Sequence, residues 1–265
     1  MLVNKIIVSR ESVESNEPYE VVLANIEFLN ILFSELVHDS EVSSEALKSY
    51  FVDYYLAQVE NGGFAQFVYN SRLNENVLKL VHSGLEAMGA KQHLSVYEQS
   101  IELLDRLGNE GVDVFLSSEL FGDNPERDLL NLNNNAFFDV QQGEDLVEFN
   151  ARWLKQHPDL QVIEQEEMAA FVDTVVAQIP DLAERQQRVR DAEPRYSKLI
   201  RALCEQAGQT LDRITAGDPT FEYQGERYLA WHFITDKGHH YMVELDDRAI
   251  MFWGDNDSIV VEIAC

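Results

Sequence analysis

Glu60-Asn61-Gly62-Gly63-Phe64-Ala65-Gln66-Phe67-Val68-Tyr69-Asn70 sets two adjacent glycines between stretches of strong helical periodicity. Upstream, Leu47, Tyr50-Phe51, Tyr54-Tyr55 and Val59 recur at three- and four-residue spacing, which marks an aromatic-rich buried helix face. Such a stripe reads as core rather than as a cofactor box. Gly62 and Gly63 give the backbone the freedom to end that helix and turn into the next. Phe64 and Phe67 are expected to anchor the corner in the core, with Gln66 and Asn70 satisfying buried backbone groups. A phosphate cradle is disfavoured, because no Lys or Arg lies between Lys48 and Arg72 and the carboxylate of Glu60 comes immediately before Asn61.

Outward from this corner the period stays helical in both directions. Residues 2–8 read as a short strand or extended arm, and Ser12 to Pro18 as a polar turn. A helix follows from Tyr19 on Val22, Ile26, Leu29 and Leu32-Phe33, and Ser43-Ser44-Glu45 caps the next one. Downstream, Asn74 or Asn76 starts a helix on Val77, Leu80-Val81, Leu85 and Met88, and Gly89 stops it. A second helix on Leu94, Tyr97, Ile101 and Leu104 closes at Gly108, making residues 74–108 a helical hairpin. Residues 108–143 read as short helices and loops with repeated apolar anchors, and Glu144 to His157 as a helix barred by Pro158. Helix is expected again over 162–178, then a polar and basic connector at 181–190. Pro194 opens a last helix in its first turn, with Tyr196, Leu199-Ile200, Leu203 and Leu211 inward.

Beyond Gly217-Asp218-Pro219 the period changes to two-residue alternation. Phe221–Tyr223, Arg227–Thr235, His240–Leu245, Ala249–Trp253 and Ser258–Ala264 read as five short strands joined by tight turns, a compact antiparallel meander. A sheet of this size buries little by itself, so one face is expected to pack against the helical part. The fold class is α+β: a mainly α-helical N-terminal domain (1–160), a helical extension (161–218) and a C-terminal antiparallel β-meander (219–265).

The chain holds 47 acidic against 20 basic residues, a formal charge of −27 over 265 residues. Residues 1–160 carry 27 acids and 10 bases, so most of the excess lies there. Direct binding to a phosphate backbone needs the opposite sign, and anionic membrane surfaces are disfavoured for the same reason. A basic protein remains a suitable partner. Cys204 and Cys265 fit no paired pattern, no signal-peptide core is present, and no apolar run approaches the roughly 20 residues of a membrane span. A cytoplasmic protein is expected.

No phosphate loop, dinucleotide fingerprint, nucleophile elbow or zinc-protease motif occurs, so no catalytic residue, metal or cofactor is assigned and a non-enzymatic role is favoured. Among seven histidines, His232 on one strand and His239-His240 opening the next could bring two imidazoles near Asp236 or Glu244. Alternation sets His239 and His240 on opposite faces, and a histidine beside a turn is expected to be exposed. Asp255-Asn256-Asp257 lacks the rest of a calcium loop and reads as a hairpin turn. The candidate binding surface is acidic: Glu41, Glu45 and Asp53 near one helix, Asp123, Glu126 and Asp128 in the irregular stretch, and Glu144, Asp145 and Glu148 at a helix start.

Tyr50, Tyr54 and then Asn61-Gly62-Gly63-Phe64-x-Gln66-Phe67-x-x-Asn70, with the hairpin at 74–108 and Phe138-Asp139 before the next helix, resemble the DNA-mimic-protein-like family of bacteria over roughly residues 20–160. The resemblance implies an acidic helical protein, some of whose relatives imitate the phosphate array of DNA and occupy a DNA-binding protein. The expected function is therefore an acidic protein-binding module, a DNA mimic that occupies a basic DNA-binding regulator. The alternatives are an immunity-type protein that neutralises a toxin and an unrecognised hydrolase or metal-binding enzyme. Direct nucleic-acid and membrane binding are not expected, and homodimerisation stays open.

Overall fold

The structure, a computed structural model, describes all 265 residues and separates into two compact units, Met1–Leu182 and Ala183–Cys265. The first unit contains β1 (Ile6–Ser9), α1 (Arg10–Glu14), α2 (Pro18–Ser34), α3 (Ser44–Ser71), α4 (Glu75–Met88), α5 (Lys91–Ser117), α6 (Pro125–Leu130), α7 (Asn134–Gln141), α8 (Leu146–Gln156), β2 (Leu160–Ile163) and α9 (Met168–Val176). Then come α10 (Leu182–Ala192), which starts on the last residue of the first unit, and α11 (Arg195–Ala207). The second unit continues with β3 (Leu211–Tyr223), β4 (Glu226–Thr235), β5 (Gly238–Glu244), β6 (Arg248–Trp253) and β7 (Ile259–Ala264). The α+β class read from the sequence is the one observed. Residues 161–218 are divided between the units, with α9 in the first and α11 in the second.

In the first unit the apolar stripes meet as read. Tyr55, Phe64, Phe67, Tyr97 and Phe137 are all buried, and the Tyr55 ring lies edge-on to Phe67 (5.1 Å), Tyr97 (5.3 Å) and Phe137 (5.7 Å). Each such contact adds about 0.5–1.5 kcal/mol beyond area burial. The Tyr97 hydroxyl donates to the Leu78 carbonyl at 3.0 Å, which ties α5 to α4 without leaving a buried polar group unpaired. Asn74 caps α4 through bonds from the Asn76 and Val77 amides. No helix is long and apolar enough to cross a membrane.

Several local expectations are corrected. Ser12 to Pro18 is not all turn: Ser9 caps the short α1 by accepting from the Ser12 amide, and Pro18 sits inside the first turn of α2. Helix does not begin at 162: residues 160–163 form a strand and α9 starts only at Met168, because Ile6-Ile7-Val8, fully buried and β-branched, pairs with the strand in parallel (Ile6↔Leu160 to Ser9↔Ile163). Gly108 does not end its helix. It takes φ 70°, ψ 168° as a kink inside α5, and the second arm runs on to Ser117 because Phe115 returns to the core. Pro194 is the residue before α11 rather than part of its first turn.

In the second unit the five strands pair in sequence order, β3-β4-β5-β6-β7, all antiparallel. The first strand is much longer than read: α11 ends before Gly208, and Leu211 belongs to β3, not to the helix. Pro219 falls at a register shift between Asp218 and Phe221 on this edge strand, where its missing amide costs no ladder bond. The sheet finds its cover inside its own unit. Ile200, Leu203 and Cys204 of α11 pack on Phe233, Met242, Ala249 and Met251. On the opposite face Phe221 lies 4.9 Å from Tyr241 and Tyr223 lies 5.4 Å from Phe252, so the hairpin of β3 and β4 shields Ala230, Val243 and Ile250.

Candidate functional site

At the double-glycine corner α3 consists of two arms, with Gly62 at φ −154°, ψ 19° and Gly63 at φ 80°, ψ −178° between them. The second arm opens with amides that have no partner inside the helix. The Phe64 amide donates to Asn134 Oδ1 (3.1 Å) and the Ala65 amide to Asn131 Oδ1 (2.9 Å), so two asparagines from the α6–α7 segment cap the arm. Gln66 and Asn70 do not serve backbone groups as expected. Their carboxamides donate to Gln58 Oε1 (3.0 and 2.6 Å), lacing the second arm to the first, while Asn61 stays exposed. The corner is thus a closed hydrogen-bonded joint with Phe64 and Phe67 beneath it.

The candidate carboxylates divide by what already engages them. Glu41 accepts from the His38 amide (2.9 Å), and Glu45 faces Lys48 (2.8 Å) and His157 (3.5 Å). Glu144 accepts from the Gln92 amide (3.1 Å) and side chain (2.9 Å) at the start of α5, and Asp145 caps α8 through the Val147 amide (2.9 Å). Asp128 pairs with its neighbour Arg127 (2.7 Å). Asp123 and Glu148 are exposed and free of such bonds, and Glu126 lies in the first turn of α6.

A further row of acids lies outside the clusters that are close together in the chain. Glu98, Glu102 and Asp105 on α5 are exposed and follow the i, i+4, i+7 spacing of one helix face, within an arc of roughly 60° and with axial steps of about 6 and 4.5 Å. Beyond the Gly108 kink the same helix exposes Glu110 and Asp113. Glu98 is bonded to His82 (3.0 Å), whereas Glu102, Asp105, Glu110 and Asp113 form no ion pair. Helical spacing applied to acids as well as to apolar residues would have found them. The loop that follows is held firmly: Asn124 donates to Ser118 Oγ and the Glu119 carbonyl, and Arg127 donates to the Leu120 and Gly122 carbonyls. At its tip Phe121 is 85% exposed between Glu119 and Asp123. Over the whole first unit 32 acids face 10 basic residues, a balance of −22.

Asp53 differs from the other acids. Burial, and then repulsion from Glu60, push its carboxyl up to about 6; Glu60 is itself raised by burial and by Asp145. The folded protein therefore holds the Asp53 proton more tightly than the unfolded chain. Stability falls as pH rises from about 4 through about 6, and above that range the ionised carboxylate costs about 1–2 kcal/mol after solvent screening. Asp53→Asn is expected to raise the melting temperature at pH 7.5, to leave it unchanged below pH 4, and to flatten the pH dependence between. Melting curves across pH 3.5–8 check this.

Of the histidines, His232 and His239 come together, with Nδ1 of the first 3.0 Å from Nε2 of the second. His240 is not exposed beside its turn but fully buried on the opposite face against Phe233 and Trp253. Neither Asp236 nor Glu244 joins the pair. Asp236 accepts from the Thr210 amide and pairs with Lys237, and Glu244 pairs with Arg195 (2.7 Å). Asp255-Asn256-Asp257 is a turn, with Asn256 accepting from Ser258. No group of three His, Cys, Asp or Glu side chains forms a metal cage.

Residues 40–157 match the family model of DMP19-like protein. The matched span contains the two-armed α3, the asparagines that cap it and the acidic row on α5. No curated protein and no solved structure matches the chain.

Proposed function

We propose that the first unit is an acidic protein-binding module that acts as a DNA mimic, occupying the DNA-binding surface of a basic protein. The observation that carries this reading is the row of exposed carboxylates on α5, four of them without a basic partner, within the span that matches the DMP19-like family. B-DNA presents one phosphate per roughly 3.4 Å of axis on each strand. Carboxylates stepping about 4.5–6 Å along a helix give a basic groove-binding surface a comparable line of charge on a scaffold that needs no reordering. Phe121, projected from a pinned loop between acids, adds an apolar contact that a protein partner can bury and a bare cation cannot. The immobilised chain should retain DNA-binding proteins from a cell lysate at low salt and release them as ionic strength rises, because attraction between exposed charges is screened beyond about 8 Å at physiological salt. Duplex DNA should displace the same proteins. Retention that DNA does not displace would overturn mimicry and leave an acidic docking surface of another kind.

A further inference from the structure

In the second unit His232 lies opposite Tyr241 and His239 opposite Ile234, so the two histidines are diagonal neighbours on one face of the sheet. Their rings are within 14° of parallel with centroids 5.1 Å apart, and the facing nitrogens are 3.0 Å apart. The two nitrogens thus face each other at hydrogen-bond distance, one ring donating to the other, and a cation that binds both takes the place of the shared proton. Both rings are constrained. His239 lies so close to Gly254 that a β-carbon there would strike its Nδ1, and the Gly254 amide donates to the His239 carbonyl at 2.9 Å. His232 faces the Tyr241 ring at 5.5 Å, and the Tyr241 hydroxyl is anchored to Asp257 Oδ1 at 3.0 Å. Both histidines remain partly exposed, so a solute can reach them.

We propose that His232 and His239 form an open, two-imidazole site for a borderline transition-metal cation of the class Zn²⁺, Ni²⁺ or Cu²⁺. Bonds of about 2.0–2.1 Å to a tetrahedral ion require nitrogens about 3.3 Å apart, which the pair reaches by opening a few tenths of an ångström and tilting the rings. Imidazole nitrogen selects such ions over Ca²⁺ and Mg²⁺, which take oxygen ligands. Asp218 lies on the same face, two residues beyond the Ala216 that opposes His232. Its Oδ1 is held by the Thr220 amide (2.8 Å) and hydroxyl (2.7 Å), which leaves Oδ2 to supply negative charge toward an incoming cation. His240 points to the other face and takes no part. Water or a small ligand completes the coordination.

Calorimetric titration of the full chain with Zn²⁺, and separately with Ni²⁺, tests the site. One equivalent should bind, Ca²⁺ should give no heat, and His232→Asn and His239→Asn should each weaken binding by more than the roughly 10–100-fold that loss of an outer-shell partner costs. His82→Asn and Cys265→Ser, which remove other exposed donors, should bind as the unaltered chain does. A readout that needs no variant is the histidine ring spectrum of the unaltered protein, in which Zn²⁺ should shift the signals of His232 and His239. Absence of binding, binding that survives both substitutions, or shifts confined to other histidines would overturn the proposal.

Discussion

Gly63→Val is expected to cost about 2–6 kcal/mol of stability. The loss has two sources. Gly63 sits at φ 80°, where a β-branched residue is strained by roughly 1–2 kcal/mol. A β-carbon there would also strike the Asn131 and Asn134 carboxamides, the groups that cap the second arm of α3. Displacing both caps adds about 0.5–2 kcal/mol for each. Gly62 provides the contrast, since its φ of −154° lies outside the left-handed region and its β-carbon would meet only the Gln66 side chain, whose carboxamide can swing aside at the cost of its bond to Gln58. Gly62→Ala should therefore cost far less. Urea denaturation of the two variants separates them. Equal, small losses would mean that the asparagine caps yield without cost and that the corner is not a rigid joint.

What could be read of this joint in the sequence, and what could not, follows from the range of the contacts involved. The glycines and the flanking aromatic stripes are local signals, and they place the bend and the buried face correctly. The caps come from Asn131 and Asn134, about 70 residues away in the chain, within an asparagine-rich stretch where no periodicity shows which side chain reaches back. The parallel pair of β1 and β2 was hidden for the same reason: a four-residue strand is shorter than a helical window, and its partner lies about 150 residues away. In the second unit, alternation separated His239 from His240 and made a cross-strand histidine pair foreseeable, because strand periodicity is local too. It could not show that Asp218, rather than Asp236 or Glu244, shares the face of that pair, since this depends on a register broken by irregularities in β3. Nor could charge clusters along the chain reveal which carboxylates are already spent on capping. Glu41, Glu144 and Asp145 look equivalent to Asp123 and Glu148 until their amide partners are known.

That distinction shapes the second large effect, expected from the joint substitution Glu102→Gln, Asp105→Asn, Glu110→Gln and Asp113→Asn. All four side chains are exposed and unpaired, so their neutralisation should shift the melting temperature little, and the removal of like charges along α5 works slightly in favour of stability. Binding should respond strongly. An exposed carboxylate facing a basic side chain contributes up to about 1 kcal/mol at low salt, so the four together amount to about 2–4 kcal/mol, or roughly 30- to 1,000-fold in affinity. The loss should fall largely on the association rate, and the salt dependence of binding should flatten, because steering by the field of the acidic face is what the substitutions remove. The control, which removes three charges against four, is Glu41→Gln, Glu45→Gln and Glu144→Gln. These residues serve local hydrogen bonds and ion pairs, so stability should drop while affinity per folded molecule changes much less. Surface plasmon resonance against a captured partner at two salt concentrations, read beside melting curves, distinguishes the two sets. If the control set lowers the association rate as much as the α5 set, the partner responds to net charge rather than to the geometry of the helix, and mimicry of an ordered phosphate line would lose its support.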